Sequence, residues 1–180
     1  MEVLSDKIIK FSNAFNPNHF IDLIEEVSIS SYPLKRVERR PHLTMELPTL
    51  FSKTDDVKSV KLRNLCISTL FPLISQYISI YNLSHMAPKK DFITISKLES
   101  GNFMDVHSDD DQLDSDNFIC MAYINDNYKG GELHFPEIGI QYKPRAGEAI
   151  LYQAKEKHMV TELLSGTRYT IGYGLRGPIS

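Results

Sequence analysis

The chain has 180 residues, 42% of them hydrophobic and 24% charged, with a formal net charge of −3 at pH 7. That length suits one domain with a proper core, and the composition is that of a globular chain rather than a disordered or fibrous one. The acidic balance argues against a general nucleic-acid binder, and two cysteines, Cys66 and Cys120, are too few for a disulfide framework. No apolar run approaches the ~20 residues needed to cross a bilayer, and Met1-Glu2-Val3-Leu4-Ser5-Asp6-Lys7 lacks the basic-then-apolar form of a secretory signal. The expectation is a cytoplasmic protein with both thiols buried, and with neither nucleic acid nor membrane as a partner.

Lys7 to Phe11 reads as a short strand. Asn16-Pro17-Asn18-His19 is a helix-start signal, with an Asn cap and Pro at the first helical position. Residues 20–27 then carry apolar residues at helical spacing. Residues 28–56 are broken by Ser28, Ser30, Ser31, Pro33, Pro41, Pro48 and Ser52 and read as loop-rich. They contain Lys35-Arg36-Val37-Glu38-Arg39-Arg40, which is either a solvated surface or a basic rim facing substrate. From Asp56 to Leu83 the pattern is helical, with a stripe of Val57, Val60, Ile67, Leu70, Phe71, Ile74, Tyr77 and Ile78. Pro72 is expected to kink or split this helix near Phe71, and the helix to cover the outside of a sheet. Pro88-Lys89-Lys90 reads as a linker. Beyond it strands dominate: 92–96, 118–124, 132–135, 139–142, 149–152 and 168–173, parted by Gly, Pro and Asp-Asn turns. Many short strands of this kind indicate a sandwich or barrel.

The chemistry concentrates in the second half. His107 and Asp109, two apart on an extended strand, project from one face, and His158 can join them from a distant strand. Two imidazoles and one carboxylate hold one face of an octahedral metal and leave the other open, as in non-haem Fe(II) oxygenases. Arg168, in Gly166-Thr167-Arg168-Tyr169-Thr170, offers a fixed cation for an anionic co-substrate, and Thr170 falls on the same strand face. The acidic run Asp109 to Asp116 lacks the Gly and terminal Glu of a calcium loop and reads as a solvated loop. His19, His42 and His85 have no local ligand partner and receive no role.

These residues, with Met121-Ala122-Tyr123-Ile124-Asn125-Asp126, Tyr128-Lys129-Gly130-Gly131-Glu132-Leu133-His134-Phe135-Pro136 and Pro144-Arg145-Ala146-Gly147-Glu148-Ala149-Ile150-Leu151-Tyr152, stand in a particular order. In that order and spacing the sequence resembles the Fe(II)/2-oxoglutarate-dependent dioxygenases, in their prolyl-4-hydroxylase-like branch. The resemblance implies an α+β fold: a double-stranded β-helix, a cupin-like jelly roll, with N-terminal supporting helices. It makes 1–180 a single domain, with residues 1–90 a support region of strand, helices and loops and 91–175 the catalytic core. It implies Fe(II) held by His107, Asp109 and His158, with O2 and 2-oxoglutarate as co-substrates and ascorbate in support. Arg168 would pair with the far carboxylate of 2-oxoglutarate, assisted by Tyr123 and Thr170. Retention of Asp109 favours hydroxylation, and His134 is assigned to structure. The implied reaction hydroxylates a C–H bond of a prolyl residue in a peptide or protein, giving succinate and CO2. A free amino acid or other small molecule is the alternative substrate, and a catalytically silent jelly-roll binding module is the rival class. Leu98 and Met104, around Gly101, stand where the family often has tyrosine. Gly174 replaces its frequent tryptophan, and the chain contains no tryptophan at all.

Overall fold

The structure, a computed structural model, describes residues 1–6, 8–18, 20–30, 34–36, 42–48, 56–88, 92–109 and 117–176. Along these residues run β1 (Glu2–Ser5), β2 (Ile8–Phe11), α1 (Phe20–Ser30), β3 (Lys35–Arg36), β4 (Leu43–Pro48), α2 (Val57–Ile80), β5 (Ala87–Pro88), β6 (Phe92–Glu99) and β7 (Met104–His107). They are followed by β8 (Phe118–Tyr123), β9 (Lys129–Gly130), β10 (Leu133–Phe135), β11 (Ile140–Tyr142), β12 (Ala149–Gln153), β13 (His158–Val160), β14 (Leu163–Ser165) and β15 (Thr167–Arg176).

The larger sheet runs β1-β2-β12-β8-β15-β6-β4-β3, with β5 also on β15. The smaller runs β11-β10-β13-β7, and β14 pairs with β9. Alternation along each strand gives the larger sheet two apolar faces. From its outer face Ile9, Ile93, Ile95, Ala122, Leu151 and Ile171 pack with residues of both helices, among them Phe20, Ile24, Leu62, Leu70 and Tyr77. From its inner face Ile8, Tyr123, Ile150 and Tyr152 meet Leu133 and Phe135 of the smaller sheet. Two facing antiparallel sheets with helices on one outer face make the expected jelly roll. Cys66 and Cys120 are free and buried, and burial pushes both thiols well above their ordinary range.

Four local expectations change. The helical start at Asn16 is a turn: Asn18 N–H donates to Asn16 Oδ1 (3.0 Å), Phe20 N–H to Pro17 O (3.3 Å), and α1 begins at Phe20. Helix α2 is continuous through Pro72 rather than split. The proline is exposed, and the Ser68 residue whose carbonyl loses its partner is exposed too, so water can replace the missing bond. The buried seam of α2 is Ser59, Leu62, Cys66, Leu70, Leu73, Ile74 and Tyr77, while Val57 and Phe71 are exposed. Asp56 caps its start, accepting from Ser59 N–H at 2.7 Å. Finally, the loop-rich reading of 28–56 is wrong at Leu43–Pro48. There β4 pairs with β6 from Leu43↔Lys97 to Pro48↔Phe92, and Thr44, Met45 and Leu47 are buried. Ser30 and Lys35–Arg36 also belong to regular elements; Val37–Arg40 of the basic cluster, Asp110–Asp116 of the acidic run, His19 and Lys89–Lys90 lie outside the described residues. Among the described residues no helix is long and apolar enough to cross a membrane.

Candidate active site

Strand register builds the floor of a cavity between the two sheets. Tyr123 on β8 stands opposite Thr170 on β15, Thr170 opposite Ser96 on β6, and Ser96 opposite Thr44 on β4. Residues in register share a face, so four hydroxyl-bearing side chains form one row on the inner side of the sheet. Two residues along, Arg168 stands opposite Leu98. The cavity holds about 490 Å³ of space, counting its open mouth. His107, Asp109 and His158 line one part of it, and Arg168, Thr170 and Tyr123 another.

The histidines are brought together by β7 and β13, which pair with His158 directly opposite His107. Their ring centroids are 4.4 Å apart. Asp109 is not on the strand as expected. β7 ends at His107, and the chain turns so that Asp109 N–H donates to Ala154 O at 2.9 Å. The carboxylate still reaches the imidazoles: Oδ1 lies 4.0 Å from His107 Nε2 and Oδ2 lies 3.6 Å from His158 Nε2. All three ligand atoms fall within 4.8 Å of one another. Metal bonds of about 2.0–2.2 Å would let one ion fit between the carboxylate and either imidazole. The ring tautomers suit this. His107 Nδ1 sits 2.7 Å from Asp105 O and His158 Nδ1 2.9 Å from Glu156 O. Each carbonyl takes the Nδ1 proton and leaves the Nε2 lone pair facing the cluster. Burial lowers the pKa of His158, outweighing the opposite pull of Asp109, and favours the neutral imidazole a metal requires.

Arg168 is 5% exposed and, among the described residues, pairs with no carboxylate. Its Cζ lies 5.2 Å from the Tyr123 ring centroid. Arg168 Nε, the Tyr123 hydroxyl and the Tyr128 hydroxyl are all buried without a hydrogen-bond partner. Burial raises both phenol pKa values while the guanidinium opposes it, so both remain protonated donors at neutral pH. A buried guanidinium is costly without an anion. Asn125 holds its backbone on either side: Tyr169 N–H donates to Asn125 Oδ1 (2.8 Å), and Asn125 Nδ2 donates to Thr167 O (2.6 Å). Gly131, at φ +67°, packs against the same group; a Cβ there would lie 2.8 Å from Leu163 Cδ1, 3.3 Å from Tyr128 Cε2 and 3.4 Å from Arg168 Cδ.

All six expected site residues (His107, Asp109, His158, Arg168, Tyr123 and Thr170) line the one cavity, as do Leu98 and Met104. His134 does not join the cluster; its β10 neighbours Leu133 and Phe135 are the buried ones. His85 is exposed. Sequence reasoning missed four residues. His42, buried beside β4, lines the cavity, because the segment carrying it reads as loop. Tyr128 and Asn125 lie inside a block noticed only for its resemblance. Tyr152 donates from its hydroxyl to Asp109 Oδ2 at 2.9 Å, across a sequence gap that no local pattern bridges.

The model of the 2OG-Fe(II) oxygenase superfamily matches residues 93–173, just under half the chain. Over those residues the chain is similar to the 2OG-Fe(II) oxygenase superfamily. No curated protein matches the sequence. Solved structures match its fold over nearly the whole of this chain. A viral collagen prolyl hydroxylase from Paramecium bursaria Chlorella virus-1, solved with 2OG, shares 14% identity at TM-score 0.70, covering 99% of this chain and 100% of that one. A Pseudomonas putida prolyl-4-hydroxylase shares 15% identity at TM-score 0.68, covering 97% and 94%. A Trichoplax adhaerens prolyl hydroxylase, in complex with a hypoxia inducible factor peptide fragment, shares 12% at TM-score 0.69, covering 96% and 84%. At these identities the likeness is one of fold. The superfamily is that of enzymes using Fe(II), 2-oxoglutarate and O2, and the donor sets of this cavity fit them. Two imidazoles and one carboxylate suit a hard-to-borderline divalent ion. A buried guanidinium with no carboxylate partner among the described residues, beside two phenols, suits a carboxylate.

Proposed function

We propose that His107, Asp109 and His158 hold Fe(II), that Arg168 holds the far carboxylate of 2-oxoglutarate, and that the substrate is a prolyl residue in a peptide or protein. The observation that carries the reading is Arg168: a buried cation with no carboxylate partner among the described residues, lining the same cavity as the three-residue cluster. With iron and both co-substrates bound, a substrate C–H gains one oxygen atom of O2 while 2-oxoglutarate takes the other and splits to succinate and CO2. The protein's own work is binding, orientation and exclusion of water. One anionic ligand, Asp109, leaves a divalent ion with about one net positive charge, which favours a dianionic co-substrate. The guanidinium fork of Arg168 takes the planar carboxylate in two parallel bonds, and Tyr123, Tyr128 and Thr170 offer it hydroxyl donors. Leu98, Met104, Met121, Leu133 and Val160 give the rest of the cavity an apolar wall that keeps bulk water from the reacting groups. His42 and Ser96 add polar groups to the lining on the β4–β6 side.

Prolyl substrates are supported by the three fold neighbours whose names carry that activity. A silent binding module would have no physical need for a complete ligand set together with an unpaired buried cation. The test is incubation of the protein with Fe(II), 2-oxoglutarate, ascorbate and proline-containing peptide libraries, read by mass spectrometry. A gain of one oxygen on proline is expected. Oxygen gain confined to free amino acids or other metabolites would replace the peptide reading with the small-molecule one.

A further inference from the structure

Tyr152 sits on β12 and is 1% exposed. Its ring stands edge-on to Phe135 (5.3 Å, 73°) and to His158 (5.0 Å, 64°). A phenylalanine ring would fill that space equally well. What the hydroxyl adds is its bond to Asp109 Oδ2 at 2.9 Å; His158 Nε2, at 3.4 Å, is too far to compete well for the same proton. Asp109 needs such a partner. It lies beyond the end of β7, its side chain is 29% exposed, and among the described residues its backbone is held through its N–H to Ala154 O. Without the phenol its carboxylate is free to turn, or to offer both oxygens to an ion at once.

We propose that Tyr152 is a positioning residue for the metal: its hydroxyl engages Asp109 Oδ2 and thereby presents the carboxylate to the ion through Oδ1 alone. One-oxygen coordination leaves more positions open for a chelating co-substrate, and a fixed carboxylate loses less freedom when the ion binds. The inference rests on the reading of His107, Asp109 and His158 as the metal site, and adds to it a residue outside the ligand set.

The test is Tyr152→Phe, which keeps the ring and removes the hydroxyl. Mn(II) is titrated into metal-free wild type and variant, with affinity read by calorimetry, the bound ion by electron paramagnetic resonance, and metal-free stability by thermal melting. Expected are Mn(II) binding by wild type, binding about 10–100-fold weaker in the variant, an altered Mn(II) spectrum, and a metal-free Tm within a few degrees of wild type. Equal affinity with an unchanged spectrum would overturn the proposal. A lowered Tm with unchanged affinity would overturn it too, since Tyr152 would then serve packing alone. A tyrosinate charge-transfer band in the Fe(III) form of wild type, absent from Tyr152→Phe, would make the phenol a ligand and not a positioner. Failure of wild type itself to bind Mn(II) would instead remove the metal-site reading, and this inference with it.

Discussion

Arg168 is a side chain that cannot lose its charge at any accessible pH and yet is nearly sealed from water. Its folded environment therefore makes sense with an anion present. Arg168→Ala is expected to raise the 2-oxoglutarate requirement by about 2–3 kcal/mol, the worth of a charge-assisted contact, while metal affinity stays unchanged. A 2-oxoglutarate titration at fixed Fe(II) reads this directly, and an unchanged KM would contradict the assignment. Gly131 tests the same group from behind. Its positive φ alone costs a non-glycine residue about 1–3 kcal/mol, and the new methyl would press on Leu163, Tyr128 and the Arg168 stem. Gly131→Ala is expected to lower Tm and raise the 2-oxoglutarate requirement together. Lower stability with intact co-substrate affinity would show that Gly131 supports the turn alone.

At the scale of elements, both helices serve the sheet that carries the site. Pro72 costs an interior helical position about 3 kcal/mol, partly offset by about 1 kcal/mol from its stiffer unfolded chain. Since α2 runs unbroken with Pro72 exposed, Pro72→Ala is expected to raise Tm; a fall would mean that the proline shapes the helix in a way the sheet needs. Helix α1 is tied to the sheet by Glu25, which takes a 2.8 Å contact from Lys97 on β6 and a hydrogen bond from the Tyr169 hydroxyl on β15. Burial alone would raise the Glu25 pKa, but the Lys97 and Tyr169 bonds outweigh it and the pKa falls below its ordinary value. A depressed carboxylate pKa contributes stability above the unfolded value, and that contribution is lost as pH falls through the folded one. Glu25→Gln should thus lower Tm at pH 7 by the equivalent of at most about 1 kcal/mol, since the pair is partly solvated. The gap between variant and wild type should close in acid. A gap constant with pH would mean the ion pair contributes nothing. In the strand that sequence reading missed, β4, Met45 and Leu47 enter the helix-side core, while on the other face Thr44 is buried and Glu46 is exposed. Its Leu43-Thr44-Met45-Glu46-Leu47 does alternate apolar and polar, but it is short, and the serines and prolines on either side disguise it as loop.

In the molecule as a whole, the part legible in sequence is the part whose residues announce chemistry by type and spacing. His107, Asp109, His158 and Arg168 needed only an ordered match, and all four line one cavity. What remained hidden depends on pairing between distant strands. Tyr152 meets Asp109 only because β12 faces β13 and β7 across the jelly roll. Tyr128 and Asn125 surround Arg168 only once β15 lies beside β8. The same layout brings both proposed sites to one cavity: β7 and β13 of the smaller sheet carry the histidines of the cluster, and β8, β15 and β6 of the larger carry Tyr123, Arg168, Thr170 and Ser96.

As proposed, the two sites act on one another's ligands. The most direct measurement follows conversion of 2-oxoglutarate to succinate by the purified chain, with Fe(II) supplied or withheld, in wild type and Asp109→Ala. Succinate formation that requires Fe(II) and disappears in Asp109→Ala is expected. Conversion that proceeds equally without added iron or in the variant would contradict it, as would no conversion by wild type with any metal or substrate.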